Sequence, residues 1–78
     1  MANLKQASSR FAVCINNTDY PASLELYKIY QVITDASAEQ DGDFRVLDES
    51  GEDYLYPAEL FVLTKLPEAV KRAILQTA

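Results

Sequence analysis

From Phe11 to Leu63 the chain never runs far before a turn-forming group interrupts it. Asn16-Asn17-Thr18-Asp19, Tyr20-Pro21, Asp41-Gly42, Asp48-Glu49-Ser50-Gly51 and Pro57 fall between short apolar stretches. Asn and Asp bond their own backbone, Gly supplies positive φ and Pro cannot donate to a ladder, so each interruption is a reversal or a strand end. That spacing leaves room for strands of about four to six residues and for no long helix before the C-terminus. Five strands are expected. Phe11-Ala12-Val13-Cys14-Ile15 alternates, with Phe11, Val13 and Ile15 on one face and Ala12 and Cys14 on the other. Leu24-Glu25-Leu26 and Lys28-Ile29-Tyr30-Gln31-Val32-Ile33 read together as a second strand, and Phe44-Arg45-Val46-Leu47 as a third. Gly51 closes a hairpin into Asp53-Tyr54-Leu55-Tyr56, and Phe61-Val62-Leu63 is the last strand. Between the second and third strands, Ala36-Ser37-Ala38-Glu39 is long enough for one helical turn but not for an independent helix.

Pro67 and Glu68 then open a helix in favoured first-turn positions. Leu66, Val70, Ala73, Ile74 and Thr77 recur at helical spacing, so a face containing Val70, Ala73 and Ile74 is expected to pack on the sheet or on a partner. The first nine residues, MANLKQASS, are polar and aperiodic and read as a loose arm. The expected organisation is an arm over 1–9, a mainly β unit over 10–66 and a C-terminal helix over 67–77. A chain of 78 residues makes one such domain. The architecture expected is a small five-stranded barrel, with a two-layer α+β fold as the competitor.

The order of these segments resembles an SH3-like barrel. Lys28–Ile33 follows a long first loop, Asp48-Glu49-Ser50-Gly51 takes the place of the distal hairpin, and Leu55-Tyr56-Pro57-Ala58-Glu59-Leu60-Phe61-Val62 resembles the closing stretch. More narrowly, Arg45-Val46-Leu47-Asp48-Glu49-Ser50-Gly51-Glu52-Asp53-Tyr54-Leu55-Tyr56-Pro57-Ala58 is similar to a segment of a family of small bacterial SH3-like proteins. Lys28-Ile29-Tyr30 and Leu66-Pro67-Glu68 match its flanking features. The resemblance departs at Tyr27, where a Gly is expected ahead of Lys28. It implies a fold and no activity. Binders of proline-rich peptides in the SH3 class use a Tyr pair on the first strand and a Trp near the third. This chain has Val13 to Asn16 at the first place and no Trp at all; Pro57 alone carries over, and Leu60 stands where the closing Tyr would be. A groove for such peptides needs those aromatic ridges, so that ligand is not expected.

Composition narrows function mainly by exclusion. Seven basic and 12 acidic side chains give a net charge of −5, and the cations are scattered singly except Lys71-Arg72. Gripping nucleic acid requires clustered cations to neutralise phosphates, so nucleic-acid binding is disfavoured, as is an anionic membrane surface. There is no His, hence no imidazole base or nucleophile pair, and with one Cys neither an internal disulfide nor a zinc set is available. Cys14, inside an apolar strand with no neighbouring charge, reads as a buried thiol. A leader-like apolar region is missing from the first residues, so the cytoplasm is the expected compartment. No enzyme activity and no cofactor are expected.

The distinctive feature is acidic. Asp35, Glu39, Asp41, Asp43, Asp48, Glu49, Glu52 and Asp53 crowd into residues 35–53, opposed only by Arg45. The oxygen-rich turns lack the one-three-five spacing and closing Glu of a calcium loop, so no metal is assigned. One reading is a solvated surface. The other is a docking face for a basic protein formed by Asp48, Glu49, Glu52 and Asp53, with Tyr54 and Tyr56 beside them. Tyr54 and Tyr56 share a strand face opposite Leu55, and a one-residue slip would exchange the two. They are either an exposed aromatic patch or rings packed under the terminal helix. The sequence thus points to a non-catalytic protein–protein interaction module. Its alternatives are a structural domain self-associating through Val70, Ala73 and Ile74, and a nucleic-acid-associated regulator.

Overall fold

A computed structural model of the protein describes residues 9–77. The expected N-terminal arm therefore lies outside the described residues except at its last position. The elements follow the order β1 (Ser9–Cys14), β2 (Ile29–Ile33), α1 (Ala36–Gln40), β3 (Asp43–Leu47), β4 (Asp53–Pro57), a 3₁₀ turn (Ala58–Leu60), β5 (Phe61–Thr64) and α2 (Glu68–Thr77). The strands form one antiparallel sheet in the order β4-β3-β2-β1-β5. The mainly β reading with a C-terminal helix holds. The sheet is not closed into a barrel: β4 and β5 stand at its two edges and no ladder joins them. Side chains occupy the gap instead. Tyr56 on β4 and Phe61 on β5, separated by the 3₁₀ turn, meet with ring centroids 6.3 Å apart.

Register decides which face is the core. Ala12 pairs with Tyr30, Cys14 with Phe61, Val32 with Val46 and Phe44 with Tyr56. These residues share one face, and with Leu24 and Leu60 they make the principal buried cluster, Phe44 packing at its margin. The small residues of β1 therefore face the core. Ala12 and Cys14 are fully buried, and their short side chains leave room for Tyr30 and Phe61 to cross above the strand. Phe11 is buried too, but on the opposite face, where Phe11, Gln31 and Leu47 lie. Helix α2 lies on that second face: Ile74 shares a cleft with Ile29, Gln31 and Leu47, and Lys71 shares one with Phe11 and Thr64.

Of three local expectations, two change and one holds. Leu24-Glu25-Leu26 is not a strand. The Tyr20 carbonyl accepts the N–H groups of Ser23 and Leu24, which coils the chain and drops Leu24 into the core. Tyr27 then turns it with φ of 66°, the only positive φ outside glycine among the described residues, at the position where the family resemblance expects Gly. The Tyr27 N–H donates to Cys14 at 2.7 Å, so β2 begins beside β1 only after this turn. Secondly, the single helical turn expected over Ala36–Glu39 forms as α1, held by its neighbours. Asp35 caps it by accepting from the Ala38 N–H at 3.1 Å, and ion pairs Arg45–Asp35 and Arg10–Glu39 tie both ends to the sheet. Thirdly, α2 is rotated from the expected face. Lys71, Ile74 and Leu75 are half-buried, whereas Val70 and Ala73 are exposed. No helix among the described residues is long and apolar enough to cross a membrane.

Candidate functional site

The hairpin between β3 and β4 is built on Asp48. As a turn residue it bonds its own local backbone: Oδ1 accepts from the Ser50 N–H at 2.8 Å and from the Ser50 hydroxyl at 2.5 Å. Gly51 completes the reversal at φ of 84°, and its N–H donates to the Asp48 carbonyl at 3.0 Å. Unlike an ordinary turn acid, Asp48 is only 7% exposed. Its second oxygen, Oδ2, accepts from the Tyr56 hydroxyl at 2.6 Å, across the hairpin. Burial works against the charge, but the hydrogen bonds from Ser50 and Tyr56 outweigh it and hold the carboxyl below its usual range. Tyr56 responds in the opposite sense: burial and the Asp48 carboxylate push its phenol up, while the Ser23 hydroxyl opposes them.

The loop over residues 17–24 supplies the other wall. Tyr20 and Leu24 are held by backbone bonds to Asn17 and Tyr20 respectively, and the Glu49 N–H reaches the Ser23 carbonyl at 3.1 Å, fastening the hairpin to the loop. Tyr20 meets Tyr56 edge to face, with ring centroids 5.0 Å apart and planes at 89°. Tyr54, two residues along the edge strand on the same face, is half-exposed and donates to Glu52 at 3.1 Å. The result is an open cavity of about 410 Å³ lined by Tyr20, Ser23, Asp48, Ser50, Tyr54, Leu55 and Tyr56.

The candidate residues are thus divided. Asp48, Tyr54 and Tyr56 line one cavity, with Glu52 at Tyr54. Glu49 and Asp53 point elsewhere. Glu49 receives Lys28 at 2.6 Å and the Tyr30 hydroxyl at 2.5 Å, and those two bonds lower its pKa while the same carboxylate raises that of Lys28. Burial, reinforced by Glu49, raises the Tyr30 phenol. Asp53 lies on the opposite sheet face, 3.8 Å from Arg45. Tyr54 and Tyr56 are not packed under α2, which covers the other face. Tyr20 and Ser23 complete the site without having been singled out in the sequence, where Tyr20-Pro21 signals only a loop; nothing local says that its ring reaches residue 56.

Asp48 has no cationic partner among the described residues, although four cations pair with other acids: Lys28 with Glu49, Arg45 with Asp35 and Asp53, Arg10 with Glu39, and Arg72 with Glu68. A buried carboxylate stabilised only by neutral donors, walled by aromatic rings, is an electrostatic trap for a cation. No cluster of His, Cys, Asp and Glu suited to a metal ion occurs among the described residues. Compared with models of known families, with curated proteins and with solved structures, the chain finds no match.

Proposed function

We propose that this protein is a small non-catalytic interaction domain whose hairpin end docks a basic polypeptide. The observation that carries the reading is the buried, ionised Asp48, without a counter-ion among the described residues, in the Tyr20–Tyr54–Tyr56 cavity. Glu52 at its rim and a net charge of −5 add long-range attraction for a cationic partner. The strand order, the long connection from β1 to β2, the tight hairpin after β3 and the 3₁₀ turn before β5 support a finer placement as an open relative of SH3-like barrels. Kinship with the small bacterial family is proposed on the resemblance of the segment Arg45–Ala58 alone.

The test is calorimetric titration of the full chain with a lysine-rich peptide and with a glutamate-rich peptide of equal length. The basic peptide is expected to bind at low salt and to weaken at least threefold when ionic strength rises well above 0.1 M, because exposed charges are then screened. Glu52→Lys, at an exposed side chain whose one bond is to Tyr54, is expected to weaken binding further without unfolding the domain. Absence of binding at low salt, or equal binding of the acidic peptide, refutes the reading. A second reading has one observation in its favour: Val70 and Ala73 are exposed on α2, leaving an apolar strip on which a second copy could pack.

A further inference from the structure

Asp48 is already three-quarters satisfied, and that selects among cations. A carboxylate offers about four acceptor positions. Oδ1 uses two for the Ser50 N–H and hydroxyl, and Oδ2 uses one for the Tyr56 hydroxyl. One acceptor position remains. An arginine fork engages a carboxylate through two parallel bonds, one to each oxygen, and here Oδ1 has no free position for it. A lysine ammonium is a compact point charge that needs one acceptor and can turn its remaining face to an aromatic ring.

The surroundings match the rest of a lysine side chain. Tyr20, Tyr54 and Tyr56 bring aromatic rings to this space, and Ser23 and Ser50 border it. The aliphatic stem of a lysine lies against such rings while its head stays at a polar end. The volume of about 410 Å³ has room for a lysine side chain. Ion pairs with Glu49, Asp35 and Glu39 hold Lys28, Arg45 and Arg10 at other places, so none of these competes for Asp48.

We infer that the Tyr20–Asp48–Tyr54–Tyr56 cavity receives the side-chain ammonium of a lysine from a partner polypeptide and discriminates it from arginine. This rests on the basic-partner reading above and adds to it the identity of the recognised group.

The experiment is an NMR titration of the full ¹⁵N-labelled chain with three probes: Nα-acetyl-lysine methylamide, its Nε-acetylated analogue and Nα-acetyl-arginine methylamide. The lysine probe is expected to shift the resonances of Tyr20, Ser50, Tyr54 and Tyr56 saturably, with Kd on the order of millimolar for so small a ligand. The Nε-acetylated probe, of similar shape but uncharged, should shift none of them. The arginine probe should bind at least threefold more weakly. Tyr54→Ala, at a half-exposed position, should raise the lysine Kd at least fivefold with the spectrum otherwise dispersed as in the parent. Asp48→Asn should do the same wherever the spectrum reports a folded domain. Equal or tighter binding of arginine, or equal binding of the acetylated probe, overturns the inference. So does saturable binding whose shifts avoid these residues. If the lysine-rich peptide binds while the lysine probe leaves the cavity unshifted, this inference falls and the wider reading stands. If neither binds, both fall.

Discussion

Removing one hydroxyl tests the electrostatics of the hairpin. Tyr56→Phe keeps the ring, its edge-to-face contact with Tyr20 and its packing on Phe61, and deletes only the hydroxyl, which donates to Asp48 Oδ2 at 2.6 Å and also meets Ser23. A hydrogen bond to a charged group contributes about 1.5–3 kcal/mol, and the loss falls at the upper part of that range where the abandoned carboxylate is buried. Asp48 is 7% exposed and has no cation to compensate it among the described residues. The expected loss is therefore ~2 kcal/mol, against a total stability of roughly 4–12 kcal/mol for a chain of this length. Urea unfolding followed by circular dichroism should show the midpoint falling by about 1–2 M, with the slope unchanged. The cycle with Asp48→Asn should give a coupling of ~1 kcal/mol or more, since each variant removes the same charged contact.

The pH dependence follows from the sign of the shift. Asp48 titrates lower in the folded protein than in the unfolded chain. Its contribution is therefore complete above the ordinary carboxylate pKa of about 4 and is lost as pH falls through the lower folded value. The Tyr56→Phe penalty should be flat from neutral pH down to about 4.5 and shrink below that. A loss under ~0.5 kcal/mol, a coupling near zero, or a penalty that grows on acidification would refute the account of Asp48 as a buried anion held by its donors.

Two further expectations concern the backbone and the helix. Tyr27→Gly should stabilise the domain by up to ~1 kcal/mol, since glycine adopts φ of 66° without steric cost. Gly51→Ala should destabilise by about the same amount although nothing crowds the position, and thermal unfolding distinguishes the two signs. On α2, Ile74→Asp should cost about 1–3 kcal/mol because that side chain shares a cleft with Ile29, Gln31 and Leu47. Val70→Asp, on the exposed side, should change stability by less than about 0.5 kcal/mol. Should light scattering find the parent dimeric and Val70→Asp monomeric, the exposed strip on α2 is an interface.

The legible part of this fold was local. Turn chemistry at residues 16–19, 41–42 and 48–51 placed the reversals, alternation located β1, β3 and β4 to within a residue or so, and Pro67-Glu68 marked the start of α2. Each of these signals is carried by neighbouring residues, because backbone preference and side-chain period are short-range properties. Charge balance and the absence of His likewise need no coordinates.

Period two states that Ala12 and Cys14 oppose Phe11 and Val13, but it does not state which set meets the core. Pairing with Tyr30 and Phe61 decided that in favour of the small residues, where the rings fill the volume. Leu24-Glu25-Leu26 had the pattern of a strand, and hydrogen bonds to the Tyr20 carbonyl made it a coil with Leu24 alone buried. The helical pattern of α2 was correct in period but not in phase, because Lys71, Ile74 and Leu75 rather than Val70 and Ala73 met the sheet. The candidate site divides in the same way. An acidic, tyrosine-bearing hairpin was visible in residues 48–56. That Asp48 is buried, that Glu49 and Asp53 are spent on Lys28 and Arg45, and that Tyr20 walls the cavity are consequences of packing between distant segments. A sequence fixes which groups are available, and only the tertiary fold brings Tyr20 to Tyr56 and removes Asp48 from water.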